Sequence, residues 1–138
     1  MRRSITLLSL TALAALVLAA TPANSRHAKV ALVPVDGSGV AGFVILEGLP
    51  KGGTVITVHA TGLTPGTEYL SIYYENHTCE LESDSVPNDV LGHYVASDDG
   101  TGNVHAKIDD DLDEVNSISV RVASDLTLRA CADIHPGG

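Results

Sequence analysis

The sequence predicts an all-β fold, an antiparallel sandwich or barrel of eight short strands. Short runs with apolar residues at every second position recur along the chain, separated by turns rich in Gly, Asp, Asn and Pro. No stretch after residue 25 has the 3.6-residue apolar period of a helix. With one Phe and no Trp in 138 residues, the core must come from Val, Ile, Leu and Ala, and the many β-branched residues favour strands.

The chain opens with Arg2 and Arg3 ahead of an apolar run from Ile5 to Ala20, with small residues at Ala23 and Ser25. That is the pattern of a secretory signal peptide, since a membrane span needs ~20 apolar residues and this run is shorter. Residues 1–25 are therefore expected to be removed, leaving 26–138 as one domain, secreted or periplasmic, with no membrane span after cleavage.

The strands follow in order. Lys29 to Val35 is the first, ended by the turn Asp36-Gly37-Ser38-Gly39. Val40 to Glu47 is the second, where Gly42 permits a bulge or a close backbone approach. After Pro50-Lys51-Gly52-Gly53, the third strand, Thr54 to Thr61, sends Ile56, Val58 and Ala60 inward. Pro65 and Gly66 set a turn before the fourth, Glu68 to Glu75, in which Leu70, Ile72 and Tyr74 alternate with Tyr69, Ser71 and Tyr73. That alternation predicts a half-buried strand. Asn76 to Val90 is polar and should be a long loop, a length that is often functional. Gly92 to Asp98 is the fifth strand and Val104 to Ile108 the sixth. An acidic cluster around Leu112 leads to the seventh, Ser117 to Ala123, with Ile118, Val120 and Val122 in and Ser119 and Arg121 out. Leu128 to Ile134 is the eighth.

Beyond residue 25 there are six basic against 17 acidic side chains, a formal charge of −11 with histidines neutral. So acidic a surface excludes nucleic acid and anionic membranes as partners. An unknown protein or small ligand remains, and a homodimer is left open. Cys79 and Cys131 are the only cysteines, which in an exported chain suggests one disulfide, worth about 4 kcal/mol for a loop of this length.

The order Gly62-Leu63-x-x-Gly66, alternating strand, then Cys79 resembles the copper/zinc superoxide dismutase family. Val40-Ala41-Gly42-Phe43-Val44, Leu91-Gly92 with its following hairpin, and Leu128-Arg129-Ala130-Cys131 extend the resemblance over roughly Val30 to Ile134. It implies a flattened eight-stranded Greek-key barrel and the same Cys79–Cys131 pair. The departures matter more. The family's two strand-four copper histidines fall on Ser71 and Tyr73, and its later copper histidine on Arg121. Its His-rich zinc loop corresponds to Glu80 to Asn88, which has no histidine, and the arginine that guides superoxide corresponds to Leu128. Asp89 matches the zinc aspartate, but one carboxylate makes no zinc site.

With the borderline nitrogen ligands replaced, the resemblance implies a superoxide dismutase-like domain with no catalytic residues and no cofactor, hence no superoxide chemistry. Ser71, Tyr73 and Arg121 are expected to form one outward polar patch, with Arg121 paired to Glu75 or Asp89 or stacked on Tyr73. Two alternatives stand beside it: a copper or zinc site shifted to His77, His93 and Asp89, with Glu80 or Asp84, or a divergent dismutase. Ser71 has no histidine nearby to make it a nucleophile. The acidic cluster lacks EF-hand spacing and reads as a solvated turn. Asn76-His77-Thr78 fits a glycosylation sequon.

Overall fold

A computed structural model describes residues 26–135; the predicted signal peptide lies outside the described residues. The strands are β1 (His27–Pro34), β2 (Ala41–Gly48), β3 (Thr54–Thr61), β4 (Glu68–Tyr74), β5 (Val90–Val95), β6 (Gly102–Ile108), β7 (Ser117–Val122) and β8 (Leu128–Asp133), with one 3₁₀ turn at Leu112–Glu114. The all-β expectation holds, and all eight strands lie close to where the alternation places them. The largest displacement is β5, which begins and ends ahead of its expected range. Ala96 and Ser97 leave the ladder because their N–H groups donate to Thr67 O and Thr101 O.

Antiparallel pairings link the strands in the order β5-β4-β7-β8-β1-β2-β3-β6. The β3–β4 and β6–β7 connections each pass to a strand that is not a neighbour, a Greek-key path. β1 meets β8 only through Val33–Cys131 and Pro34–Ala130. The molecule is thus two four-stranded sheets, A (β1, β2, β3, β6) and B (β4, β5, β7, β8), joined along one short seam. At the opposite edge β5 and β6 pack without a ladder among the described residues. A Cβ on Gly102 would lie 2.6 Å from the Tyr94 ring, and one on Gly92 would lie 2.7 Å from Val104. Only glycine lets those edges approach, so the barrel is nearly closed. Gly42 has the close approach expected of it: a Cβ there would collide with the His59 carbonyl oxygen.

The interior is aliphatic. Val44, Leu46, Ile56, Val58 and Ala60 from sheet A meet Ile118, Val120, Ala130 and Ala132 from sheet B, with Leu63 and Leu112 also buried in this core. Each fully buried aliphatic contributes about 1.5–3 kcal/mol. Sheet A alternates as a half-buried sheet should: along β3, buried and half-buried positions succeed one another without a break. β4 does not. Tyr69, Leu70, Ser71, Ile72 and Tyr74 are all 3% exposed or less, so the expected half-buried strand is buried on both faces.

Candidate functional site

Two segments of sequence cover the outer face of sheet B: the loop after β4, which carries Cys79, and the turn after β7. Leu70, Ile72, Tyr74 and Cys79 form a second core there, distinct from the barrel interior, with Val90, Leu126, Leu128 and Cys131 packed against it. Cys79 and Cys131 are joined in a disulfide, which holds the loop after β4 down onto β8. Ser117, Ser119 and Arg121 project from β7 into this layer because they alternate with interior-facing Ile118 and Val120.

Arg121 is 7% exposed. Its Nε donates to Tyr74 Oη at 2.9 Å, Nη1 to Leu126 O at 2.5 Å and Nη2 to Cys79 O at 2.6 Å. Tyr74 Oη also shares a 2.7 Å hydrogen bond with Ser119 Oγ. Ser117 Oγ accepts from Cys79 N at 3.2 Å and donates to Asn76 O at 2.6 Å. The planar guanidinium fork thereby ties both covering loops to the sheet, with no carboxylate partner among the described residues. No buried side-chain polar atom described lacks a hydrogen-bond partner.

This geometry corrects the expected patch. In the register Leu70 lies opposite Arg121, Ser71 opposite Val120 and Tyr73 opposite Ile118. Opposed residues share a face, so Ser71 and Tyr73 are on the interior side and Arg121 on the outer side. Ser71 is fully buried and hydrogen-bonded to Tyr94 Oη at 2.8 Å. Arg121 neither pairs with Glu75 or Asp89 nor stacks on Tyr73; its partners are the phenol of Tyr74 and two backbone carbonyls. Sequence reasoning missed Ser119, Tyr94 and the hydrogen bond that makes Tyr74 the partner of Arg121. The readable signal was the disulfide: a cysteine beyond β4 bonded into β8 obliges the intervening loop to return over sheet B.

A second feature lies at the side of the barrel. Tyr73 lines an acidic cleft of about 320 Å³ with Glu75, Glu82, Asp84, Asp89 and Asp110. Burial, then the charges of Asp89 and Asp110, hold the Tyr73 phenol well above its ordinary range. Asp89 is raised as well, chiefly by burial, with Asp110, Asp84 and Glu82 adding to the rise and Tyr73 opposing it. Burial pushes Tyr94 up to about 12. A more open, apolar groove of about 560 Å³ is lined by Leu70, Pro87, Val90 and Leu126.

The shifted metal site is not assembled. His77 Nδ1 lies 2.7 Å from Asp133, His93 Nδ1 lies 3.4 Å from Glu68, and Asp89 faces Tyr73. Among the described residues no three His, Cys, Asp or Glu side chains converge on a point that could hold a metal ion. Nor do Ser71, Tyr73 and Arg121, the positions that the resemblance assigns to copper ligands, offer a set of donors for that ion. One is a serine occupied inside the barrel, one a tyrosine facing carboxylates, and one a permanent cation. The acidic cluster after β6 is a structural turn: Asp111 Oδ1 accepts from Gly53 N at 2.9 Å, and Glu114 accepts from Asp111 N at 2.9 Å. Asn76, the sequon residue, folds its side chain back on the loop and donates to Glu80 O at 2.8 Å.

The sequence matches no protein-family model and no curated protein.

Proposed function

We propose that this chain is an exported, superoxide dismutase-like domain without the copper/zinc centre, acting as a non-catalytic binding or structural protein. The observation that carries the reading is Arg121. The resemblance assigns its position to a copper ligand, and there a guanidinium spends three donors on Tyr74, Leu126 and Cys79. A permanently charged cation in that layer repels a metal ion and supplies no lone pair to hold one. The Greek-key strand order and the Cys79–Cys131 bridge support the inherited frame. The formal charge of −11 beyond residue 25 also disfavours an anionic substrate such as superoxide.

The test is superoxide consumption by purified, copper-supplied protein against free-copper controls. The reading predicts no rate above the controls. A rate well above them would overturn it.

A further inference from the structure

The outer face of sheet A carries chemistry that neither sheet B nor the proposed function uses. Two rows of side chains run across it in register. One is Ala31, Phe43, His59 and Asn103; the next is Lys29, Ile45, Thr57 and His105. His59 and His105 therefore sit on adjacent strands, β3 and β6, diagonal to each other on one face. Diagonal neighbours lie about 7–8 Å apart, within reach of long side chains. Both imidazoles lean over the same inter-strand groove, because each bonds the residue directly opposite. His59 Nδ1 bonds Asn103 Oδ1, and His105 Nδ1 lies 2.8 Å from Thr57 Oγ1.

These bonds decide which nitrogen is free. Asn103 Oδ1 can only accept, so the proton sits on His59 Nδ1 and the lone pair on Nε2. The His59 ring is steadied from its other side by Phe43, with centroids 5.1 Å apart. Thr57 Oγ1 lies against Nδ1 of His105, where the hydroxyl can accept the Nδ1 proton and leave the Nε2 lone pair open to a ligand. An imidazole whose second nitrogen is held by an oxygen partner is the arrangement that orients histidine ligands in metal sites. The only carboxylate on the strands of this face, Glu47, lies in the next row, opposite Val55.

We infer that His59 and His105 form a two-imidazole site on sheet A for a divalent transition ion of borderline softness, copper(II) or zinc(II), with water completing its shell. The inference does not rest on the proposed function, since the site lies on the opposite sheet from Arg121.

The purified protein is titrated with zinc(II), and separately with copper(II), in a non-coordinating buffer. Calorimetry gives stoichiometry and affinity, and the histidine ring resonances report which imidazoles respond to zinc. The expected result is saturable binding of one ion per chain, lost in both His59→Gln and His105→Gln and unchanged in His77→Gln and His93→Gln. Asn103→Leu removes no ligand yet should weaken binding about tenfold or more by freeing the His59 ring. All five positions are on the surface or in a loop, and an unchanged melting temperature confirms that each variant is folded. No saturable binding, or binding that survives either His59→Gln or His105→Gln, overturns the site. Superoxide consumption that persists in the His59→Gln/His105→Gln double variant would count against the proposed function alone.

Discussion

The outer faces of the two sheets begin from the same alternating pattern and end in opposite states. On sheet A, Thr57, His59, Asn103 and His105 stand in water and pair with one another across the strands. On sheet B, Tyr74, Ser119 and Arg121 occupy equivalent outward positions, yet they are 0%, 0% and 7% exposed. The difference lies in the connections and not in the strands. The loop after β4, pinned by Cys79–Cys131, and the turn after β7 lie over sheet B, while the described loops leave the middle of sheet A open. A polar residue facing out of a strand is solvated only if no loop returns over it. Once covered, it must find protein partners or leave a buried group unpaired, at a cost of about 1–3 kcal/mol.

The contrast can be broken most forcefully at the disulfide. Replacing Cys79 and Cys131 with alanine should lower unfolding free energy by about 4 kcal/mol, as expected for a closed loop of 52 residues' separation. Urea denaturation checks this, and the apolar layer of sheet B should become accessible to a hydrophobic dye. Next comes Arg121→Met, which keeps bulk but removes the fork from Cys79 O, Leu126 O and Tyr74 Oη. The expected loss is about 3 kcal/mol, because two carbonyls and a phenol lose their donor. The matching changes on sheet A, Lys29→Met and Lys107→Met, should stay within about 0.5 kcal/mol.

Inside the barrel, Tyr94→Phe leaves Ser71 Oγ without its partner and should cost about 1 kcal/mol. It also sharpens a pH prediction. Burial raises Tyr94 to about 12, above the value near 10 of an unfolded tyrosine. Below pH ~10 both states keep the proton and stability is intact. As pH rises towards 12 the unfolded chain ionises first and stability falls. Unfolding followed by tyrosinate absorbance should show that alkaline loss in the natural chain and a smaller one in Tyr94→Phe. The smallest effect is at Asp89. Its raised folded-state value means that its contribution is fully present below the unfolded carboxylate range near 3.9 and is lost as pH rises through the folded value. Asp89→Asn should therefore be slightly more stable than the natural chain at neutral pH and indistinguishable from it in acid.

Much of the fold was legible because sheet A obeys local rules. β3 could be read residue by residue, since Ile56, Val58 and Ala60 meet the core and Thr57 and His59 meet water. The disulfide was legible because there are only two cysteines. The candidate site was not, and β4 shows why. Alternation gives two faces but not which faces inward, and with Tyr69, Leu70, Ile72 and Tyr74 all apolar or aromatic, neither set marks itself as exposed. Placing Ser71 and Tyr73 beside Arg121 required that orientation. The register supplies it: Leu70, not Ser71, lies opposite Arg121. The partners of Arg121 were out of reach for a different reason, since two of the three are backbone carbonyls, which any residue carries.

Arg121 is locked within a covered layer on sheet B while sheet A remains open. Hydrogen exchange of the Arg121 Nε–H, read by ¹⁵N NMR against the exposed Arg26 in the same chain, tests this most directly. Marked protection of Arg121 that is lost when the Cys79–Cys131 bridge is removed is the predicted result. Exchange as fast as that of Arg26 in the disulfide-bonded protein would contradict it.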